Sequence, residues 1–151
     1  MKIMLDEGAK MPTRAHEFDA GLDLYAPKLT SVQGCKYSAP INGYGYGMVT
    51  MGQKVIDTGV HVEIPEGYVG FIKSRSSLLA AGLLTDGTID AHYTGSIKVK
   101  LFNTSPKDYK INAGDKIAQL VIVPCLLPEL EFVDHLEETD RGDSGFGSTG
   151  R

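Results

Sequence analysis

Val60-His61-Val62-Glu63-Ile64-Pro65-Glu66-Gly67-Tyr68-Val69-Gly70-Phe71-Ile72 is two runs of alternating apolar side chains divided by a proline and a glycine. Successive side chains of a strand point to opposite faces, so a period of two marks strands with one buried and one wet face. Pro65-Glu66-Gly67-Tyr68 reads as a turn whose first corner Pro65 pre-sets. The same period recurs in Ile97-Lys98-Val99-Lys100-Leu101, and Asn112-Ala113-Gly114-Asp115 reads as a second turn. Short strands at regular spacing predict an all-β fold, an antiparallel jelly-roll-like barrel or sandwich, rather than a parallel sheet with crossover helices. One short helix is expected over Ser76-Ser77-Leu78-Leu79-Ala80-Ala81-Gly82, with a serine to cap its start and Gly82 to end it.

At 151 residues the chain fits one β domain, residues 1–136, followed by a polar, glycine-rich and flexible C-terminal arm, residues 137–151. Residues 33–53, rich in glycine and tyrosine and without periodicity, read as a long loop or an inserted hairpin. The stretch from Lys116 to Pro128 is apolar on both faces, which fits a strand buried in the core or against another subunit. A net charge of −4, from 15 basic and 19 acidic residues, argues against a duplex nucleic-acid surface but leaves room for a small anion in a focused cleft. No run of about 18 apolar residues and no basic-then-apolar leader occurs, so a soluble cytoplasmic protein with no membrane association is expected. Cys35 and Cys125 have no metal or disulfide spacing and read as reduced thiols.

Four segments carry residue types suited to chemistry. In Asp86-Gly87-Thr88-Ile89-Asp90-Ala91-His92-Tyr93, Asp86-Gly87 is a two-residue turn signal. Asp90 follows Ile89 on a strand, so its carboxylate can face a cleft while Ile89 enters the core, or it can be a solvent-facing aspartate beside a half-buried Tyr93 in an ordinary hairpin; His92 is given no catalytic role. Lys73-Ser74-Arg75-Ser76-Ser77 gathers a guanidinium, hydroxyls and backbone N–H groups at a helix start, either an anion site or a cap beside a surface arginine. Asp23 stands between Leu22 and Leu24, either facing solvent by alternation or held for a purpose. Arg141-Gly142-Asp143-Ser144-Gly145-Phe146-Gly147-Ser148-Thr149-Gly150 can fold N–H and hydroxyl groups around phosphates, or be a mobile tail. It is not a Walker A loop, because Ser148 stands where that motif needs lysine.

Taken in order, Ala20 to Ala26, Ser74 to Ser77, Gly87 to Gly95, Gly114 to Val121 and Arg141 to Gly150 closely resemble the five motifs of the trimeric deoxyuridine triphosphatase family. The resemblance implies a β jelly roll, a homotrimer with active sites at subunit interfaces, and hydrolysis of dUTP to dUMP and pyrophosphate with Mg²⁺. It implies that Asp90 activates the water that attacks the α-phosphorus, and that Tyr93 stacks under deoxyribose and leaves no room for a 2′-hydroxyl. Backbone groups of the segment holding Leu84, Gly87, Thr88 and Ile89 would read uracil. Arg75, Ser76, Ser77 and Gln119 would bind the triphosphate, Arg141 the terminal phosphate, Gly147, Ser148 and Thr149 the phosphates, and Phe146 would lie over the base. Asp23 would hold the metal through water. Leu84 stands where many members carry asparagine, and residues 33–53 exceed the usual link, which leaves room for an unknown protein partner there.

Two rivals share these features. A dCTP deaminase would need a glutamate in the strand after the uracil segment, where this chain has Lys98-Val99-Lys100-Leu101. A nucleotide-gated regulatory protein on the same fold would use residues 33–53 as its contact surface. His16, His61 and His135 form no ligand spacing and are expected at the surface or as satisfied core residues.

Overall fold

The alternation closes into strands that all pair antiparallel. The computed structural model describes residues 1–37, 49–140 and 142. In chain order these form β1 (Lys2–Leu5), β2 (Gly21–Tyr25), β3 (Thr30–Val32), β4 (Lys36–Tyr37), β5 (Val49–Thr50), β6 (Gly52–Asp57), β7 (Val60–Glu63) and β8 (Tyr68–Lys73). Then come α1 (Ser76–Ala80), β9 (Leu83–Leu84), β10 (Asp86–Ile89), β11 (Lys98–Asn103), β12 (Tyr109–Ile111) and β13 (Lys116–Pro124). The main sheet has the order β10-β8-β13-β2; β6-β11-β9 forms a second, and β1-β7, β12-β3 and β4-β5 are two-stranded. The architecture is all-β and jelly-roll-like with a single short helix among the described residues. Among the described residues no helix is long and apolar enough to cross a membrane.

Several strands, β7, β8 and β11 among them, send alternate residues inward. Val60 and Val62, Ile72, Val99 and Leu101, and Leu24 and Leu120 meet in one buried cluster. Each such side chain stabilises the fold by about 1.5–3 kcal/mol when taken from water. β13 is central in its sheet and buries Ile117, Ala118 and Leu120. Beyond it the apolar run leaves the core: Leu126, Leu127, Leu130, Phe132 and Leu136 are all more than 80% exposed.

The local expectations fare unevenly. Tyr68 N–H donates to Pro65 O at 3.2 Å and Asp115 N–H to Asn112 O at 3.1 Å, so both turns form. Pro65, however, holds the first position rather than a corner; the corners are Glu66 and Gly67, and Gly67 takes the φ of +77° that the second corner demands. The helix ends at Gly82 with φ +85°, but no serine caps its start. Arg75 is the N-cap residue and makes no side-chain cap bond. The Ser74 hydroxyl is used elsewhere, donating to Thr85 O at 2.9 Å and accepting from Thr85 N–H at 2.8 Å.

Asp86-Gly87 is not a turn. Both residues lie within β10, opposite Lys73 and Ile72 of β8, and the Asp86 carboxylate is ion-paired to Lys73. Long-range pairing overrides the local turn signal. The chain reverses earlier, through α1, and changes sheets at Thr85, between β9 on β11 and β10 on β8.

Asn103 locks the second sheet to β3. Fully buried, it donates to Val32 O at 3.1 Å and Lys107 O at 2.8 Å, and accepts from the Ser105 N–H at 3.0 Å and hydroxyl at 2.8 Å. Asn103→Ala is expected to cost about 2–3 kcal/mol, because buried groups lose their partners. Urea denaturation at one fixed protein concentration measures it.

Candidate functional site

Antiparallel register sets Asp23 on β2 opposite Gln119 on β13, Gln119 opposite Lys73 on β8, and Lys73 opposite Asp86 on β10. Directly opposed residues point to the same face, so four polar side chains form one row across the sheet. Asp23 is buried despite its charge, at 6% exposure. Its Oδ1 lies 3.0 Å from Arg75 Nε and its Oδ2 2.7 Å from Lys116 Nζ. Of the two readings of a charge between leucines, the structure selects the held one. The ion pair uses Arg75 Nε and leaves its two Nη groups, on a side chain 29% exposed, for an anion.

Asp23, Arg75, Ser76 and Gln119 line one cleft together with Asp19, Gly21 and Val121. Ser77 lies on the other side of Arg75, in a second cleft with Tyr109, Asp115 and Lys116. Gln119 Nε2 donates to Ser74 O at 3.4 Å, and its side chain lies against Gly21. A Cβ on Gly21 would overlap Gln119 Oε1 and stand 3.2 Å from Gln119 Cβ, so only glycine leaves that amide where it is. Asp19 shapes the rim, accepting from His16 N–H at 2.9 Å through its carboxylate and from Arg14 Nε at 2.8 Å through its carbonyl.

Asp90 is elsewhere. β10 runs from Asp86, opposite Lys73, to Ile89, opposite Gly70. At about 3.3 Å per residue, Asp90 lies roughly 13 Å along the sheet from the polar row, on the side away from Arg75. It is exposed beside buried Ile89, and lines a separate cleft with Glu66, Tyr68, Val69 and His92. His92 lines the same cleft as Asp90. β10 stops at Ile89, and His92 sits in a turn with φ +68°; its Nε2 is 3.3 Å from Glu66 Oε1. Tyr93, 43% exposed, donates from its hydroxyl to Ser96 O at 3.0 Å. β10 is an edge strand, so among the described residues one side of its backbone at Gly87, Thr88 and Ile89 is unpaired. Leu84 on β9 is 37% exposed.

One chain thus brings together Asp23, Arg75, Ser76 and Gln119, and separately Asp90 and Tyr93. Arg141, Phe146, Gly147, Ser148 and Thr149 lie outside the described residues. Sequence reasoning gave no separate part to Lys116 or Gly21, and placed Ser74 in the anion segment without its bonds to Thr85. Lys116 carried a signal, a lone cation opening an apolar strand, whereas the Ser74 strut and the Gly21 contact exist only once β2, β8 and β13 are paired. No group of three His, Cys, Asp or Glu able to hold a metal exists among the described residues. Asp23 cannot be a direct ligand while both its oxygens face cations, but a role through water fits, because two oxygens offer about four acceptor positions.

A buried acid held by two cations thus lies beside an open cleft, with a free strand edge and an exposed carboxylate farther along, all on one side of an all-β fold. The model of the dUTPase family matches residues 44–150. The deoxyuridine 5'-triphosphate nucleotidohydrolase of Corynebacterium glutamicum is 40% identical over 154 residues, covering 99% of this chain and 93% of its own. The dUTPase of Staphylococcus bacteriophage 80alpha with dUPNHPP superposes with a TM-score of 0.81 at 31% identity, over 99% of this chain and 98% of that one. A mutant dUTPase from phage phi11 of S. aureus, solved for the coordination of a structural Mg(II) ion, gives a TM-score of 0.73 at 31% identity, over 91% and 98%. This chain belongs to the dUTPase family.

Gly21→Ala should displace the Gln119 amide and weaken binding of dUPNHPP roughly ten-fold, the loss of one or two hydrogen bonds, with the fold retained. Calorimetric titration beside circular dichroism measures both.

Proposed function

We propose that this chain hydrolyses dUTP to dUMP and pyrophosphate, and so limits uracil incorporation into DNA while supplying dUMP for dTMP synthesis. The observation that carries the reading is the Asp23-anchored Arg75 and Gln119 cleft on the same sheet as an exposed Asp90 and the free edge of β10. Asp90 is the general base: exposed to water, it orients and deprotonates the molecule that attacks the α-phosphorus, and pyrophosphate leaves. Arg75, Ser76, Ser77 and Gln119 hold the phosphates, joined by Arg141, Gly147, Ser148 and Thr149. Phe146 lies over the uracil. Backbone donors and acceptors of Gly87, Thr88 and Ile89, with Leu84 alongside, read the uracil edge; cytosine would leave them unmatched. Tyr93 packs under deoxyribose and excludes a 2′-hydroxyl by contact.

Mg²⁺, when bound, takes most ligands from phosphate oxygens and water and neutralises charge on the departing pyrophosphate. Asp23 would act on its water shell. An intracellular, cytoplasmic and soluble location accords with a nucleotide substrate.

The two halves of the chemistry lie at different places on one chain, so the complete site is built from several copies, and a homotrimer is the assembly we infer. The exposed apolar residues from Leu126 to Leu136 suit burial between those copies. Residues 1–136 form the β domain and residues 137–151 an arm that closes over an active site; the loop or hairpin expected over residues 33–53 ends before Gly52, where β6 joins β11.

Asp90→Asn should lower kcat by about 10²–10⁴ with dUTP affinity nearly unchanged, as pyrophosphate release and equilibrium binding would record. Strong residual turnover would remove Asp90 as base. Two inactive chains, Asp90→Asn and Arg75→Ala, should regain activity when unfolded together and refolded as a mixture, because some mixed sites then draw both intact residues; a mixture that stays inactive argues for a site within one chain.

A further inference from the structure

The loop from Asp90 to Ile97 carries both the proposed base and the ring beneath the sugar, and its middle is held from outside by one side chain. His61 on β7 places Nδ1 2.8 Å from Thr94 O and Nε2 3.2 Å from Asp6 Oδ1. A carbonyl and an ionised carboxylate can only accept. Neutral imidazole has a single N–H, so it satisfies one of them and turns a lone pair on the other; only imidazolium donates to both.

We propose that His61 is a positioning residue whose protonated form clamps the sugar-binding loop, so that dUTP binding and rejection of UTP both weaken as it loses its proton. The inference rests on the role given to Tyr93 above. Thr94 follows Tyr93 directly, and the ring of Tyr93 lies over Gly95, where a Cβ would stand 2.6 Å from the tyrosine hydroxyl. Movement at Thr94 therefore moves the ring. Three charged groups surround the clamp. Asp6 follows β1, and Asp57 ends β6, where its carboxylate binds the Ser96 hydroxyl of the same loop. Lys98, opposite Asp57 on β11, offsets part of that negative charge.

The Thr94 carbonyl first, and then the Asp6 carboxylate, raise His61 above its ordinary value of 6.5. The Ser96 bond lowers Asp57, which stays ionised throughout the range where His61 titrates. A raised histidine stabilises the clamp fully below about pH 6.5, and the clamp is lost as pH rises through the folded-state value.

The test measures KM for dUTP and kcat/KM for dUTP against UTP between about pH 6 and 9 in the full-length protein, His61→Gln and Asp6→Asn. In the parent protein KM should rise several-fold with a midpoint above 6.5, at a pH set by His61 and independent of the kcat profile. Asp6→Asn, a change at an exposed residue, should move that midpoint down toward 6.5. His61→Gln should show a flat profile at the higher KM. Imidazole ¹⁵N shifts give the His61 titration directly, and amide exchange at Thr94 and Gly95 reports the loop without substrate. A KM limb that persists in His61→Gln, or a midpoint unmoved in Asp6→Asn, overturns the proposal. Loop exchange that follows His61 in a protein that does not turn over dUTP would uphold the clamp and reject the functional reading.

Discussion

The buried carboxylate of Asp23 is the constraint from which the shape of the cleft beside Arg75 follows. A lone carboxylate taken from water costs several kcal/mol, and removing its partners leaves that cost uncompensated. Arg75 and Lys116 meet it, and in doing so tie β2 to the exit of β8 and to the start of β13. Arg75 is simultaneously the residue from which α1 starts. The guanidinium is therefore fixed in place, and its remaining donors need no reorganisation to meet a partner. Attraction of one buried anion to two half-exposed cations thus concentrates positive charge at one spot in a chain whose net charge is negative.

The sheet that carries this cluster also sets what a single chain is unable to do. β10 leaves the polar row at Asp86 and delivers Asp90 to the other end, with apolar Ile72 and Leu120 packed between the sheets beneath. A strand is stiff, so no side-chain motion closes a gap of roughly 13 Å. The separation of the two places on one chain is thus a property of strand length and register. It also explains why the row of polar side chains and the exposed carboxylate coexist in one fold without neutralising each other.

Much of the fold was legible because strand period is a local signal. Val60, Val62, Ile72, Val99 and Leu101 are buried where alternation put them. The failures have a common cause, which is that partners distant in sequence decided the outcome. Asp86-Gly87 has the composition of a tight turn, yet Lys73 and Ile72 hold it in a strand. Ser74 has the composition of a cap, yet Thr85 takes its hydroxyl. Of the site, the residue types at Asp23, Arg75, Asp90, Tyr93 and Gln119 were readable. Their segregation into two places, the part played by Lys116, and the close approach of Gln119 to Gly21 were not, since each depends on the pairing of β2, β8 and β13.

The apolar stretch from Leu126 to Leu136 bears on how the protein comes into being. Five large side chains there stand almost wholly in water when the chain is alone, at a cost of about 1.5–3 kcal/mol each relative to burial. A newly made chain presents this stretch to any apolar surface it meets, its own copies included. Were the stretch buried between copies, as proposed above, the yield of sound protein would be governed by synthesis rate and local crowding as much as by the stability of the β domain itself.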